Sequence, residues 1–292
     1  MVARGDIVTL RPIAALSSDG TRLHLQHGPI DLILKADGDK DRAFDAAIRR
    51  FDTILQELVD ELALLRAPVS DGGPRPKGAV ARRMDAAARR LADGRFLTPM
   101  AAVAGSVADE VLAAMLTEAP LSRAMVNNGG DIAVHLAGGQ YAVRMASVTG
   151  QDLGDIVLHP QDGIGGIATS GRHGRSFSLG IADSVTVLAQ NGALADVAAT
   201  LIANAVDLPL HPAITRAPAN SLAPDSDLGA IPVVTGCATL PPDLRDQALN
   251  AGLAKAYALL NAGHISGCAL FLQGAAFTCG LATPLTKVIE YA

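Results

Sequence analysis

The hydrophobic positions change period several times along the chain. Residues 20–35 alternate in two short runs, Leu23/Leu25 and Ile30/Leu32/Leu34, with Gly28-Pro29 between them. That pattern predicts two strands joined by a turn. From Asp41 to Leu65 the spacing becomes helical, with Phe44, Ile48, Phe51, Leu55, Leu58, Leu62 and Leu65 at steps of three and four, which predicts a long amphipathic helix. A Pro- and Gly-rich loop at residues 67–79, expected to be mobile, precedes a basic helical stretch, Val80–Leu91. Its Arg82, Arg83, Arg89 and Arg90 are read as a solvated face, with phosphate or partner contact as the other reading. Residues 97–118 predict an Ala-rich helix in which Gly105 and Ser106 allow another backbone to come close. Strand patterns follow at Ala124–Asn127, Ile132–Leu136 and Tyr141–Ala146, and Gly138-Gly139 predicts a hairpin between the last two. Further strands are expected at Ile156–Leu158, Ile164–Thr169 and Ser184–Ala189, then a helix from Ala193 to Val206. The segment 208–232 reads as loop, 241–262 as helix and 264–273 as a final core strand.

Composition narrows the class. With 49% hydrophobic and 18% charged residues and a net charge of −5, the chain is neither disordered nor a basic nucleic-acid binder. Aromatics at 3%, with no Trp, also argue against base-stacking platforms. The 292 residues suffice for one large domain or two small ones. Cys237, Cys268 and Cys279 form no CxxC pair and sit in apolar stretches, so buried thiols in a reducing cytoplasm are expected. The first residues lack the apolar run of a signal peptide, and no uninterrupted apolar run is long enough to cross a membrane.

Candidate chemistry gathers between residues 95 and 200. In Asn127-Asn128-Gly129-Gly130-Asp131 the glycines let a ligand approach the backbone, and Asp131 can accept from a hydroxyl or an amine. The same residues are also good turn chemistry. Thr169, Ser170, Gly171, Arg172, His173 and Arg175 place hydroxyls, backbone N–H groups and two guanidinium groups in one stretch. It is suited to an anion such as a pyrophosphate, or else it is a polar surface loop. His173 is the candidate acid/base. Asp196 and Thr200, four residues apart in an apolar helix, share one face and suit Mg²⁺; a helix cap and a hydroxyl bonded back to its own helix are the competing readings. Asp109 lies one turn beyond Gly105 on the same face, in what is otherwise ordinary helix packing.

In this order the pieces resemble the ApbE-like superfamily, whose best-known members are FAD-dependent FMN transferases. The matching residues are Gly105 with Asp109, Asn127–Asp131, Ala168–Gly171, Ser184–Val187 and Ala195–Thr200, spanning roughly residues 95–206. The chain is most similar to a branch found in methanogens and methylotrophs that accompanies one-carbon pterin metabolism. The resemblance implies an α+β fold of mixed helices and antiparallel sheet, in a single compact domain over residues 1–292. It implies a cleft in which Asn128, Gly129, Gly130 and Asp131 line a flavin-type nucleotide such as FAD. It also implies that Asp196 and Thr200 hold Mg²⁺ beside the diphosphate. Two features depart from the pattern. Ala104 replaces the Lys before the helix Gly, and the His-x-x-Asp-Pro-x-x-Gly segment between A-T-S-G and S-V-T-V is missing.

Three functional readings follow. One is an enzyme acting on a nucleotide or pterin-like substrate, with Mg²⁺ as phosphate clamp, Arg172 and Arg175 balancing charge, and His173 moving a proton. Another is a flavin or nucleotide binder without transferase chemistry, and the third is a structural or interaction protein in which the motifs are relics. The apolar helix faces also fit a homo-oligomer.

Overall fold

The computed structural model describes residues 11–146 and 152–280, and it divides into two compact units. The first contains the described chain up to Gln140, with His159–Ile167 and Asn191–Asp196. The second contains Tyr141–Leu158, Ala168–Gln190 and the chain from Val197 onward.

In the first unit, β1 (Ile13–Leu16), β2 (Leu23–His27) and β3 (Ile30–Gly38) form an antiparallel meander, with the turn at Gly28-Pro29 as the alternation predicts. Strand β3 buries every second residue, Ile30, Leu32, Leu34 and Ala36, which is the signature of a strand with one face on the core. Helix α1 (Lys40–Asp60) covers that side with Phe44, Phe51, Ile54, Leu55 and Leu58. The predicted long helix breaks one turn early. Glu61 leaves helical geometry, and a short α2 (Leu62–Leu65) follows. The carboxylate of Glu61 accepts hydrogen bonds from the backbone N–H groups of Lys77 (2.7 Å) and Gly78 (2.6 Å), ahead of α3 (Ala79–Leu91).

That contact belongs to a set of anchors on the Pro/Gly-rich loop. Buried Asp85 accepts from Arg75 (2.8 Å) and Arg89 (2.7 Å), and Arg89 also donates to the carbonyls of Ser70 and Pro74. The loop expected to be mobile is therefore tied down at several points. Of the four arginines of α3, Arg82 and Arg90 are exposed, while Arg83 pairs with Glu110 at 2.9 Å.

A 3₁₀ turn (Pro99–Ala102) leads into α4 (Val103–Glu118). Pro99–Glu118 has the length and apolar composition of a membrane span, but Val107, Ala108, Val111, Leu112 and Met115 are buried, and the helix packs on α1, α3 and the sheet. Strands β4 (Leu121–Asn128) and β5 (Asp131–Leu136) extend the sheet antiparallel to β3, and β5 turns at Gly129-Gly130.

The hairpin expected at Gly138-Gly139 does not form. The partners of β5 are β4 and Gly166–Ile167, whereas β6 (Tyr141–Ala146) pairs with β7 (Asp152–Leu158) in a separate two-stranded ladder of the second unit. The second edge of β5 is taken at Ile132 and Ala133 by Ile167 and Gly166, and β6 finds its partner in β7 instead.

The second unit has the order β8-β9-β12-β13, made from the end of β8 (Gly166–Ser170), β9 (Ser184–Ala189), β12 (Gly267–Leu272) and β13 (Ala275–Cys279). Every residue of β12 is buried, so its sequence is a continuous apolar run rather than an alternating one. Helix α5 (Gly192–Ala205) begins in the first unit and ends in the second. The predicted loop 208–232 contains β10 (Ile214–Pro218) and a single turn α6 (Ala219–Leu222); β10 pairs with β11 (Pro232–Cys237). Pro218 and Pro232, paired at one end of this small ladder, disguise it. Helix α7 (Pro242–Asn261) packs on β12 and β13. Helices and antiparallel strands in this arrangement make a mixed α+β protein.

One contact depends on glycine. Gly105 in α4 and Gly192 at the start of α5 touch backbone to backbone, and a methyl on Gly105 would overlap the Gly192 carbonyl. Gly105→Ala is expected to lower stability by about 1–3 kcal/mol in urea denaturation. Gly138→Ala, where the added methyl meets nothing within 4 Å, should stay within about 0.5 kcal/mol of the parent.

Candidate functional site

The first unit holds most of the motif residues around the start of α4. At the β4–β5 turn, Gly129 and Gly130 have φ of 66° and 111°, a left-handed backbone that favours glycine. The Asn127 side chain closes the turn by accepting the Gly130 N–H at 2.8 Å. Asn128 and Asp131 face each other across the ladder. Asn128 is buried and donates from Nδ2 to the Ala104 carbonyl at 3.2 Å, so one of its roles is to hold the entry to α4 against the sheet.

Two carboxylates are exchanged between helices. Asp196 of α5 accepts the Gly105 N–H of α4 at 3.0 Å, together with a backbone bond from Ala104. Asp109 of α4 accepts the N–H groups of Gly192 (2.8 Å) and Ala193 (2.9 Å) of α5. Each acid therefore serves donors that a helix N-terminus leaves without an intrahelical partner. Burial is the main cause that pushes both carboxyls above the usual carboxylate range. For Asp109 the two N–H groups oppose the shift. For Asp196 the charge of Asp131 adds to it, and the Ala104 and Gly105 N–H groups only partly offset it. The buried hydroxyl of Ser106, next to Gly105, has no hydrogen-bond partner among the described residues.

In the second unit the Ala-Thr-Ser-Gly strand end is organised by hydroxyls. Thr169 Oγ1 lies 3.0 Å from Thr186 Oγ1, and Ser170 Oγ lies 3.3 Å from Thr200 Oγ1. The structure thus joins two sequence-predicted residues, Ser170 and Thr200. Beyond Gly171 the chain turns tightly, with the Gly174 N–H bonded to the Gly171 carbonyl.

Asp183 organises the remainder. Its Oδ1 accepts from Arg172 Nε (2.9 Å) and Nη2 (2.6 Å) and stands 3.3 Å from His173 Nε2, while Oδ2 accepts the Gln273 N–H. Arg172 is thereby spent on an internal pair. His173 is half-exposed with a carboxylate to orient it. Arg175 is exposed and makes no hydrogen bond or ion pair among the described residues. Sequence reading missed Asp183, although an acid eight residues after Arg175, beyond two arginines and a histidine, is the charge expected to face them. It also missed that Asp109 caps α5, since spacing within one helix says nothing about a second helix. Among the described residues, no three His, Cys, Asp or Glu side chains are grouped to hold a metal by themselves.

Comparison with known proteins places this arrangement. The family model described as AbpE bacteria matches residues 14–278. A UPF0280 protein of Methanothrix thermoacetophila is 43% identical over 113 residues, covering 37% of this chain and 46% of the relative. One from Methanosphaerula palustris is 35% identical over 169 residues, covering 57% and 65% respectively. The chain spans about half the length of several such relatives, 48% for that of Methanopyrus kandleri. Among solved structures, the ApbE protein of Thermotoga maritima aligns over 91% of this chain and 96% of its own, with a TM-score of 0.49 at 12% identity. The apo flavinyl transferase ApbE of Pseudomonas stutzeri gives 0.47 at 12% identity over 93% and 95%. With the family model covering nearly all of the described residues, the resemblance read from the motifs is borne out, and the chain belongs to the AbpE bacterial family of ApbE-like proteins.

Proposed function

We propose that the chain binds a flavin nucleotide such as FAD, or a related phosphate-bearing ligand of the pterin class, together with Mg²⁺, and transfers a phosphate-linked group. The observation that carries this reading is the neighbourhood of Asp196. A buried carboxyl in the field of a second carboxylate, Asp131, is costly to ionise. A divalent cation removes that cost, and hard oxygen donors are what Mg²⁺ takes. Asp196 and Thr200 lie one turn apart on α5, and Mg²⁺ ordinarily needs only one or two protein carboxylates beside water and phosphate oxygens. The residues present therefore fit the ion. When bound, it would supply Lewis acidity and a clamp for phosphate.

The chain's own groups have separable roles in this reading. The Gly129-Gly130 turn leaves space beside its backbone, since a methyl on Gly130 would meet nothing within 4 Å. Together with Asn128 and Asp131 it orients the nucleotide. Arg175, free of any internal partner among the described residues, balances phosphate charge. His173, oriented by Asp183, accepts or returns the proton of the attacking group. Thr169, Ser170 and Gly171 shape the strand end, and Gly105 fixes the amide that meets Asp196.

A second reading, binding without transfer, is favoured by a specific observation: Arg172 is fully engaged by Asp183, and Ala104 stands where the family has Lys.

One experiment separates them. FAD, FMN, ADP and a phosphorylated pterin are each added with and without Mg²⁺ while thermal unfolding is followed, and released AMP is measured by chromatography. A bound ligand at a hundredfold excess over Kd is expected to stabilise the protein by about 2.7 kcal/mol, and only with Mg²⁺. AMP release supports transfer, a shift without AMP supports the binder, and no shift with any ligand overturns both. Asp196→Asn keeps an acceptor for the Gly105 N–H but loses the charge, so the Mg²⁺-dependent shift should vanish while the fold remains.

Asp109, which takes no part in ligand binding in this reading, gives a control with a definite sign. Its raised carboxyl means that the folded state holds the proton more tightly than the unfolded chain does. The stability this contributes is complete below about pH 4, the ordinary Asp value, and is lost as pH rises through the folded value. In urea titrations from pH 4 to 7, Asp109→Asn should flatten that decline. The variant is expected to be less stable at pH 4, where one N–H has lost its acceptor, and to approach the parent at pH 7.

A further inference from the structure

Cys268 and Cys279 stand directly opposite each other in the β12–β13 ladder, with their sulfurs 3.4 Å apart. Both are buried, at 0% and 5% exposure. Directly opposed residues of an antiparallel pair have Cα atoms about 4.5–5.5 Å apart, a separation that a disulfide bridges without backbone movement. Strand β13 ends its sheet order and is held by β12 on one side and by α7 on its face. Nothing in the flavin-type site uses these thiols.

We propose that Cys268 and Cys279 are a modification site, a dithiol that a disulfide oxidant of the glutathione class converts into a cross-strand bridge fastening β13 to β12. In the first step the Cys279 thiolate attacks one sulfur of glutathione disulfide. The S–S bond of the oxidant breaks, one glutathione thiolate leaves, and a mixed disulfide forms. In the second, Cys268 loses its proton to solvent and attacks the Cys279 sulfur, expelling the second glutathione. Two protein thiols lose two electrons and two protons, and glutathione disulfide is reduced to two glutathiones.

The order of attack follows from the pair itself. The hydrogen bond from the Cys268 thiol holds Cys279 below the ordinary thiol range, at about 7, and pushes Cys268 up. The thiolate is the nucleophile, so Cys279, the last residue of β13, reacts first. Access of the oxidant to the buried Cys279 requires local opening of β13, the end strand of its sheet order among the described residues. The second attack is intramolecular between sulfurs already in contact, so the mixed adduct does not accumulate.

The test uses the full chain incubated with glutathione disulfide, followed by alkylation under denaturing conditions and peptide mapping. The expected product has lost two hydrogens, joins the Cys268 and Cys279 peptides, and leaves Cys237 alkylated or singly glutathionylated. In Cys268→Ala the glutathione adduct on Cys279 should persist, and in Cys237→Ala the bridge should form unchanged. A stable adduct on Cys279 in the unmodified protein would overturn the proposal. So would a bridge from Cys237 to either partner, or alkylation of both Cys268 and Cys279 after exposure that fully glutathionylates Cys237. If Cys268→Ala does not fold, mapping of the unmodified chain alone decides.

Discussion

The backbone contact between Gly105 and Gly192 is the constraint on which the first unit's chemistry depends. Only without side chains at both positions do the starts of α4 and α5 meet closely enough for each helix to donate its free amides to an acid of the other. The exchange has two consequences. It satisfies donors that would otherwise be buried without partners, each worth about 1 kcal/mol as a cap. It also fixes Asp196 beside the β4–β5 turn and the charge of Asp131, and this concentrates negative potential at one place in an apolar setting. A structural cap and a cation ligand were alternative readings of Asp196 from sequence. In the fold, capping is the geometry that positions the carboxyl, so it is compatible with a ligand role rather than opposed to it.

Much of this was legible from residue pattern. The β2–β3 meander, α1, α4 and α7 follow their hydrophobic periods closely, because each presents one buried face and local period is enough to define it, whereas β9 and α5 are buried nearly all round and read as continuous apolar runs. The sequence motifs also carried the family. What the pattern could not supply were relations between segments. Strand β6 pairs with β7 rather than β5, and the choice of partner is a property of the sheet rather than of the Gly138-Gly139 dipeptide. The β10–β11 ladder was hidden by prolines at strand ends. Arg172 looked like an anion ligand because its acidic partner, Asp183, lies beyond an apolar stretch and is brought back only by the turn after Gly171. Arg175 carried the same signal and remains without an internal partner among the described residues.

The scarcity of aromatics has a structural counterpart. Among the described residues, Phe44 and Phe51 are committed to the core of the first unit, while Phe96 and Phe177 are partly exposed. Phe177 follows His173 and Arg175 in the same stretch of the second unit. Core packing there rests largely on small and branched residues, as in the alanines of α5, alongside the buried Phe271 of β12.

The anchored loop ahead of α3 behaves unlike its composition. Glu61 and Asp85 divide the segment between α2 and α3 into shorter closed stretches, so the entropy of closing one long loop is replaced by several smaller terms. Melting of this region is therefore graded: loss of one anchor frees the stretch it closes and leaves the others in place. The residues between the anchors, around Asp71 and Gly72, are exposed, and a methyl on Gly72 would meet nothing within 4 Å. This tip is where the chain can lengthen without cost to the helices on either side, a natural insertion point in an otherwise closely tied surface.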